Sequence, residues 1–216
     1  MDDNRRLIVG AGGFGREVAE LLALFPQFEV LGYLDDREPD GTGPKLTAPY
    51  LGPIAADIAR DVPCVLAIGY PRPRRSVLAA IAAAGRVVAS PLVHPRAELG
   101  QHVTLADGVI VTGGVGITTN VSLGTCTSIH PGAQLGHDII AGQLVAVMPG
   151  AVVSGDVHLG DGVFIGANAT ILQGVRIGAW ATIGAGAVVT QDVAPDTTVV
   201  GVPARPLPQR RKPSEA

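Results

Sequence analysis

The feature that most constrains this chain is an aliphatic residue at every sixth position from Val93 to Val189, without a break. A second small or β-branched residue lies four positions after each of them, and therefore two positions before the next. Because side chains alternate along a strand, the two members of each pair point to the same side. Glycine, asparagine and aspartate are concentrated between the pairs, where the chain must turn sharply. The period predicts a parallel β-helix built from hexapeptides.

Composition supports this architecture and argues against several classes of partner. Of 216 residues 47% are hydrophobic but only 4% aromatic, which suits a narrow coil lined by aliphatic side chains. A formal charge of −3 gives no basic field to attract nucleic acid. No apolar run reaches the roughly 18 residues of a membrane span, and we find no leader, so we expect a cytoplasmic protein without a membrane partner. Cys64 and Cys126 form no CxxC pair, and we expect neither a disulfide nor a metal site.

The first 90 residues have a different pattern. An apolar run, Leu7 to Val9, leads directly into a glycine turn at residues 10–15, and apolar residues then recur at helical spacing. The predicted elements are strands at 7–9, 30–34 and 64–69, helices at 16–24 and 77–84, and an extended stretch at 86–89. We expect residues 40–53 to form a mobile loop. The pattern predicts a Rossmann-like α/β domain with a parallel sheet, whose ligand site lies at the carboxyl ends of its strands.

The glycine turn has three interpretations. Its backbone N–H groups and the following helix N-terminus favour a nucleotide phosphate, and Asp35 or Asp36 is spaced to accept a ribose hydroxyl. A dinucleotide such as NAD is disfavoured, because about 90 residues offer one mononucleotide-sized unit instead of two. Alternatively, the glycines only make a tight turn. Arg72, Arg74 and Arg75 leave a similar choice between a diphosphate contact and a solvated face.

Six motifs occur in an order that is typical of one family. They are Gly10 to Gly15, Leu34-Asp35-Asp36, Ile68-Gly69, Leu92 to Pro95, Gly136-His137-Asp138 and Val200 to Arg205. With the hexads, they make residues 6 to about 206 resemble the bacterial sugar-nucleotide acetyltransferases of the sialic-acid O-acetyltransferase and UDP-bacillosamine-pathway N-acetyltransferase type. The resemblance implies a sugar-nucleotide-binding head at 1–90, a left-handed β-helix at 91–206, a tail at 207–216, and a homotrimer with acetyl-CoA between neighbouring coils. The left hand and the trimer come from the resemblance alone.

The same resemblance selects one histidine of five as the catalytic base. Acetyl transfer from a thioester needs a group of near-neutral pKa to take the proton of the nucleophile. His137 matches the family's base, and Asp138 matches its acidic neighbour. If three hexads make one turn, residues 18 apart stack. His137 should then lie between Thr119 and Gly155, with Asn120 beside Asp138.

The remaining site residues are also transferred by resemblance. The acetyl-CoA candidates are Gly155, Ala167, Ala185, Arg205, the weaker Arg176, and Ala146, which stands where relatives often have a second histidine. The sugar-nucleotide candidates are Gly12, Gly13, Phe14, Asp35, Asp36 and Gly69. Two further residues depart from the pattern, because relatives commonly have histidine at Phe14 and often asparagine at His130. Sugar specificity is therefore expected to differ, and His130, seven residues before His137, is a candidate to reach the same site from a neighbouring face or across a subunit boundary.

Three functions follow, in order of preference. The first is acetyl-CoA-dependent N-acetylation of a nucleotide-linked amino sugar in bacterial surface polysaccharide or glycan biosynthesis, with direct attack on the thioester. The second is O-acetylation of sialic acid or a related sugar, which a nucleotide site in the head disfavours. The third is a non-catalytic trimeric scaffold.

Overall fold

The computed structural model describes residues 4–40 and 42–207. It begins with an α/β head whose four-stranded sheet is parallel throughout and has the order β3-β2-β1-β4. Its elements are β1 Arg5–Val9, α1 Gly13–Leu22, β2 Glu29–Leu34, β3 Tyr50–Gly52, β4 Cys64–Leu66 and α2 Pro71–Ala83. Within the described ranges, neither helix is long and apolar enough to cross a bilayer.

Two expectations about the head need correction. The segment at 40–53 is not only a loop, because Tyr50–Gly52 pairs with β2 as an edge strand. The second helix starts at Pro71 and not at Val77, since proline at the first helical position suits the fixed φ of that position. The stretch at 86–89 is extended as predicted, and its Val88 forms a parallel bridge with Cys64.

A β-helix follows from Leu92, and its strands pair with partners 18 residues away, as Ser128 does with Ile110 and Ala146. Three hexads therefore make one turn, and the coil has three faces. Face 1 consists of β5 Leu92–Val93, β8 Ile110–Val111, β11 Ser128–Ile129, β14 Ala146–Val147, β17 Phe164–Ile165, β20 Thr182–Ile183, β22 Thr198–Val200 and the antiparallel β23 Arg205–Pro206. Face 2 consists of β6 Glu98–Leu99, β9 Gly116–Ile117, β12 Gln134–Leu135, β15 Val152–Val153, β18 Thr170–Ile171 and β21 Val188–Val189. Face 3 consists of β7 Val103–Leu105, β10 Val121–Leu123, β13 Ile140–Ala141, β16 His158–Leu159 and β19 Arg176–Ile177.

The paired small and aliphatic residues of the hexads form one continuous interior. From Val109 to Val193, the apolar residues of both series are buried and pack in a single cluster. Thr127, the polar member, is also buried and donates to the Gly142 carbonyl oxygen. At the first turn Leu99 remains partly exposed, because no earlier coil covers it. The prediction of a hexapeptide β-helix is confirmed.

The three edges of the coil are made by residues with positive φ at every sixth position from His102 to Gly186. The edge between faces 1 and 2 carries Gly114, Gly132, Gly150, Asn168 and Gly186, and the edge between faces 2 and 3 carries His102, Asn120, Asp138, Asp156 and Gly174. Glycine, asparagine and aspartate tolerate this conformation best. The third edge differs, since its residues are Gly108, Cys126, Leu144, Gly162 and Trp180.

The head packs on that third edge and on the adjoining face 1. Cys126 and Leu144 are buried in one cluster with Leu66 and Ile81 of the head. On face 1, Ile110 joins a second cluster with Val18 of α1. The head therefore packs on the third, apolar edge. These contacts leave the polar edge between faces 2 and 3 uncovered.

Candidate active site

His137 and Asp138 lie at a turn on the polar edge, directly after β12. The His137 Nδ1 is 2.6 Å from the Asp138 Oδ2, and both side chains are half exposed. Asn120, one coil earlier, donates from Nδ2 to the Asp138 Oδ1 at 2.5 Å. These contacts lower the pKa of the Asp138 carboxyl, with Asn120 contributing most and His137 next. An ionised Asp138 favours the Nδ1–H tautomer, which leaves the lone pair on Nε2.

The imidazole of His137 lies over Gly155, as the 18-residue stacking predicted. A Cβ at residue 155 would be 2.5 Å from both Cε1 and Nε2 of the ring. A backbone hydrogen bond holds the two coils together at this point, because the Asp156 N–H donates to the His137 carbonyl oxygen at 2.8 Å. On the other flank, the Thr119 hydroxyl donates to the Gln101 carbonyl oxygen and not to His137. Gly155 thus provides the space that this ring occupies.

The glycines of the head divide into two classes. A Cβ at Gly15 would be 1.9 Å from the Gly10 carbonyl oxygen, and one at Gly10 would be 2.6 Å from that of Ala67. These two are required for packing, as the tight-turn interpretation proposed. Gly12, Gly13 and Gly69 are different, because no atom lies within 4 Å of a Cβ built on Gly12 or Gly69 and only the Arg16 guanidinium approaches at Gly13. Their backbone is open to a ligand.

Asp35 and Asp36 follow β2 at the same edge of the sheet. The Asp35 Oδ2 accepts from the Ala11 N–H at 2.8 Å, while its Oδ1 accepts from the Arg37 N–H. The Asp36 Oδ1 accepts from the Ile54 N–H at 3.0 Å. Ala11, Gly12, Asp35 and Asp36 line one cleft. The structure therefore brings three of the six predicted nucleotide residues, Gly12, Asp35 and Asp36, into one cleft, and Asp35 also fixes the glycine turn.

The arginines after Gly69 contact the coil. Arg72 forms an ion pair with Asp196 at 2.6 Å, and the Arg75 guanidinium lies 5.3 Å from the Trp180 ring. Arg74 is 1% exposed and donates to the Ser128 Oγ at 2.9 Å. Arg74 and Ile81 are seven residues apart and therefore lie on the same face of a helix. A helix predicted from Pro71 would have placed Arg74 on that buried face. Neither the diphosphate nor the solvated-face interpretation describes Arg74.

The acetyl-CoA candidates lie in different parts of the coil. Gly155 is beside His137, whereas Ala167 and Ala185 stack on the edge between faces 1 and 2, where the Gly186 N–H donates to the Ala167 carbonyl oxygen. Ala146 is fully buried on face 1, and Arg205 is exposed in β23. One chain alone does not gather these positions into one site.

Phe14 touches the coil on the edge between faces 1 and 2. Its ring centroid is 4.7 Å from that of His130, which is 4% exposed. Burial and, to a smaller extent, the nearby Arg74 lower the pKa of His130 to about 4. The glycine turn therefore meets the coil at His130, one strand before His137.

Among the described residues, no three His, Cys, Asp or Glu side chains converge as a metal site requires. Burial raises the pKa of both Cys64 and Cys126 to about 11, which keeps these thiols protonated.

Comparison with known proteins gives matches to both the head and the coil. Residues 6–81 match the PglD N-terminal domain, and residues 142–173 and 156–191 match the bacterial transferase hexapeptide (six repeats). The acetyltransferase domain of PglB from Neisseria gonorrhoeae FA1090 is 30% identical, with a TM-score of 0.87 over 95% of this chain and 100% of that one. The chain belongs to the PglD-type family of hexapeptide sugar acetyltransferases. Among proteins with curated functions, none matches the sequence.

Two further PglD-type structures extend the likeness. PerB from Caulobacter crescentus, solved with CoA and GDP-perosamine, is 28% identical with a TM-score of 0.84, and the match covers 94% of this chain and 97% of that one. WeeI from Acinetobacter baumannii AYE is 26% identical with a TM-score of 0.82 over 94% of this chain and 99% of that one. The PglB domain has also been solved with acetyl coenzyme A. The present PglD-type protein is an acyltransferase, and the non-catalytic scaffold is set aside.

Proposed function

We propose that this protein transfers the acetyl group of acetyl-CoA to the amino group of a nucleotide-linked amino sugar, with His137 as general base. The observation that carries the proposal is the exposed His137–Asp138 pair, held by Asn120 and seated over Gly155. It supports a base whose Nδ1 is held by Asp138 and whose Nε2 is left to accept a proton. The donor and the acceptor class are inferred from the PglB and PerB complexes.

In the proposed reaction the neutral amine attacks the thioester carbonyl carbon, and His137 Nε2 takes the proton that the amine loses. The tetrahedral intermediate then expels the thiolate, which takes a proton from the His137 imidazolium and leaves as CoA. The products are the N-acetylated sugar nucleotide and CoA, with no covalent acyl-enzyme. Asp138 stabilises the imidazolium and fixes its orientation.

We further propose that the active enzyme is a homotrimer in which neighbouring chains share each site. Gly155 lies on the edge between faces 2 and 3, whereas Ala167, Ala185 and the contact of Phe14 with His130 lie on the edge between faces 1 and 2. A second copy can place its glycine turn and alanine edge against His137. Light scattering of the purified protein tests the trimer directly.

Thiol release from acetyl-CoA tests the reaction. The acceptor panel contains GDP-perosamine, UDP- and dTDP-linked 3-amino and 4-amino sugars, and free sialic acids. We expect turnover only with nucleotide-linked amino sugars. His137→Asn should lower kcat by about 100- to 10,000-fold, the usual contribution of general base catalysis. His102→Asn, also on the polar edge but two coils away, is the matched control and should keep full activity.

The outcomes separate the alternatives. Acetylation of free sialic acid alone would establish the O-acetyltransferase function. Near-full turnover by His137→Asn would remove this histidine from the mechanism. A role in surface polysaccharide or glycan synthesis and a cytoplasmic location stay predictions from the sequence.

A further inference from the structure

The junction of head and coil contains a cavity that the proposed reaction does not use. Its volume is about 360 Å³, which lies within the roughly 300–1,000 Å³ of small-molecule sites. The head supplies Tyr70 and the first residues of α2, and the coil supplies Gly162, Phe164, Trp180 and Thr182. The residues that line it are different from those of the cleft at Asp35 and Asp36. The cavity is therefore separate from the predicted nucleotide site.

Aromatic side chains are concentrated at this cavity. Phe164 and Trp180 are the two aromatic residues in the sequence of the coil from residue 92 to residue 207, and both line it. Phe164 stands where other coils of face 1 have smaller side chains, such as Ser128 and Ala146. The Tyr70 ring stacks on Phe164, with 5.3 Å between the ring centroids and 21° between the ring planes. A coil with an aliphatic interior needs no rings on its surface, so their shared position indicates a ligand.

Packing of the head on the coil does not account for these rings. Phe164 covers one face of the Tyr70 ring, but Tyr70 is still 66% exposed, so its other face is open to solvent. Trp180 is only partly buried and has a φ of 62°, which is unfavourable for a large side chain. The Arg75 guanidinium lies 5.3 Å from the centroid of the Trp180 ring and holds that ring at the cavity wall. The cavity thus combines an open aromatic face with a second, fixed ring.

A polar pair lies beside the rings. Arg72, which lines the cavity, forms its ion pair with Asp196 at 2.6 Å, and both side chains are exposed. The pair presents a donor next to an acceptor, and neighbouring sugar hydroxyls match it because each hydroxyl both donates and accepts. The C–H groups of a pyranose ring carry a partial positive charge and match the negative face of an aromatic ring. A phosphate fits less well, because Asp196 already neutralises Arg72 and repels an anion.

We propose that this cavity is a second saccharide site, which binds a neutral pyranose through the open face of Tyr70 and the Arg72–Asp196 pair. The site is separate from the acceptor site of the proposed reaction, and its occupancy requires neither acetyl-CoA nor a nucleotide. A free sugar and one residue of a longer glycan share this chemistry.

Tryptophan fluorescence tests the proposal, because Trp180 is the single tryptophan of the chain and lines the cavity. The full-length protein is titrated with methyl glycosides of glucose, N-acetylglucosamine and fucose, and with disaccharides of the same sugars. Each titration is repeated with GDP, UDP and CoA present. We expect a saturable change in emission that the nucleotides and CoA neither produce nor prevent. Tighter binding of a disaccharide would identify a glycan chain as the ligand, and equal affinities would identify a single sugar.

Tyr70→Ala should weaken saccharide binding about tenfold, the loss expected for one aromatic contact. Tyr70→Phe is the matched control, because it keeps the ring, and its affinity should stay within about twofold of wild type. The melting temperature should be unchanged in both variants, since Tyr70 is exposed. The proposal would be overturned by the absence of a saturable response, by equal affinity in Tyr70→Ala, or by a response only to nucleotides or CoA. These readouts do not involve turnover, so a failure of the proposed acetyl transfer leaves them unaffected.

Discussion

At the scale of single residues, the position of the His137 ring depends on a residue of the next coil that has no side chain. Gly155 has an ordinary backbone conformation, so conformational freedom does not require glycine there. Its absent side chain matters because the His137 ring occupies that space. Glycine is required at Gly10 and Gly15 for a different reason, because backbone atoms of neighbouring segments lie too close there for a Cβ.

Gly155→Ala should therefore lower activity more than stability. A methyl group 2.5 Å from the His137 ring must push the imidazole off Asp138, and we expect kcat to fall at least tenfold with little change in melting temperature. Steady-state thiol release and thermal unfolding measure both. Gly43→Ala is the control, since nothing lies within 4 Å of its Cβ. Unchanged kcat in Gly155→Ala would show that this ring position is not the reactive one.

His130 should make the protein sensitive to acid. Its pKa is about 4 in the fold against an ordinary value near 6.5, so the unfolded chain binds more protons between these values. Stability then falls as pH drops from about 6.5 to about 4 and levels off below. Asp138 acts at lower pH, because its pKa is below its usual value.

The measurement compares melting temperatures of wild type and His130→Leu at pH 7.5 and pH 5. We expect the wild type to lose more stability between these values than the variant. Equal losses would mean that His130 is not buried in its neutral form.

At the scale of elements, edge composition decides which part of the coil receives the head. Residues 126, 144 and 180 adopt positive φ with large side chains, a conformation that costs about 1–2 kcal/mol per residue. Burial against the head offsets this cost at Cys126 and Leu144. The signal was present in the sequence, because Cys126, Leu144 and Trp180 stand at multiples of 18 residues where the other two edges carry mostly Gly, Asn or Asp. The six-residue period does not show this signal, because it treats the three edges of the coil as equivalent.

Leu144→Ala should weaken this junction. The residue is 2% exposed, and truncating a buried leucine costs about 2–5 kcal/mol, so we expect a melting temperature several degrees lower. Asn168→Asp, at the equivalent turn on another edge but exposed, is the control and should change it little, because aspartate tolerates the positive φ as asparagine does. Equal melting temperatures for both variants would mean that the head does not depend on this edge.

At the scale of the whole molecule, the head and the base of one chain face different edges. Phe14 meets His130, whereas His137 lies beyond β12 and over Gly155. Under the shared-site arrangement proposed above, the head of one chain presents the sugar to His137 of its neighbour.

Co-expression of two inactive variants tests this arrangement. Gly12→Asp places a negative charge where the diphosphate is expected, and His137→Asn removes the base. Mixed assemblies should recover a substantial fraction of wild-type turnover, because some sites then combine an intact head with an intact base from different chains. Separately purified variants combined just before the assay are the control. No recovery in verified mixed assemblies would place both halves of the site in one chain.

The sequence by itself determined the coil and its interior, because strand alternation and the six-residue period are local rules. The placement of His137 between Thr119 and Gly155 also needed three hexads per turn, which the family resemblance supplied. The sequence also indicated the α/β head and its glycine turn. Only the tertiary structure decided which edge the head covers, which glycines are required for packing, and that Arg74 and His130 are buried together. Those features depend on contacts between segments far apart in the chain, such as Arg74 with Ser128 across 54 residues, and no period records them.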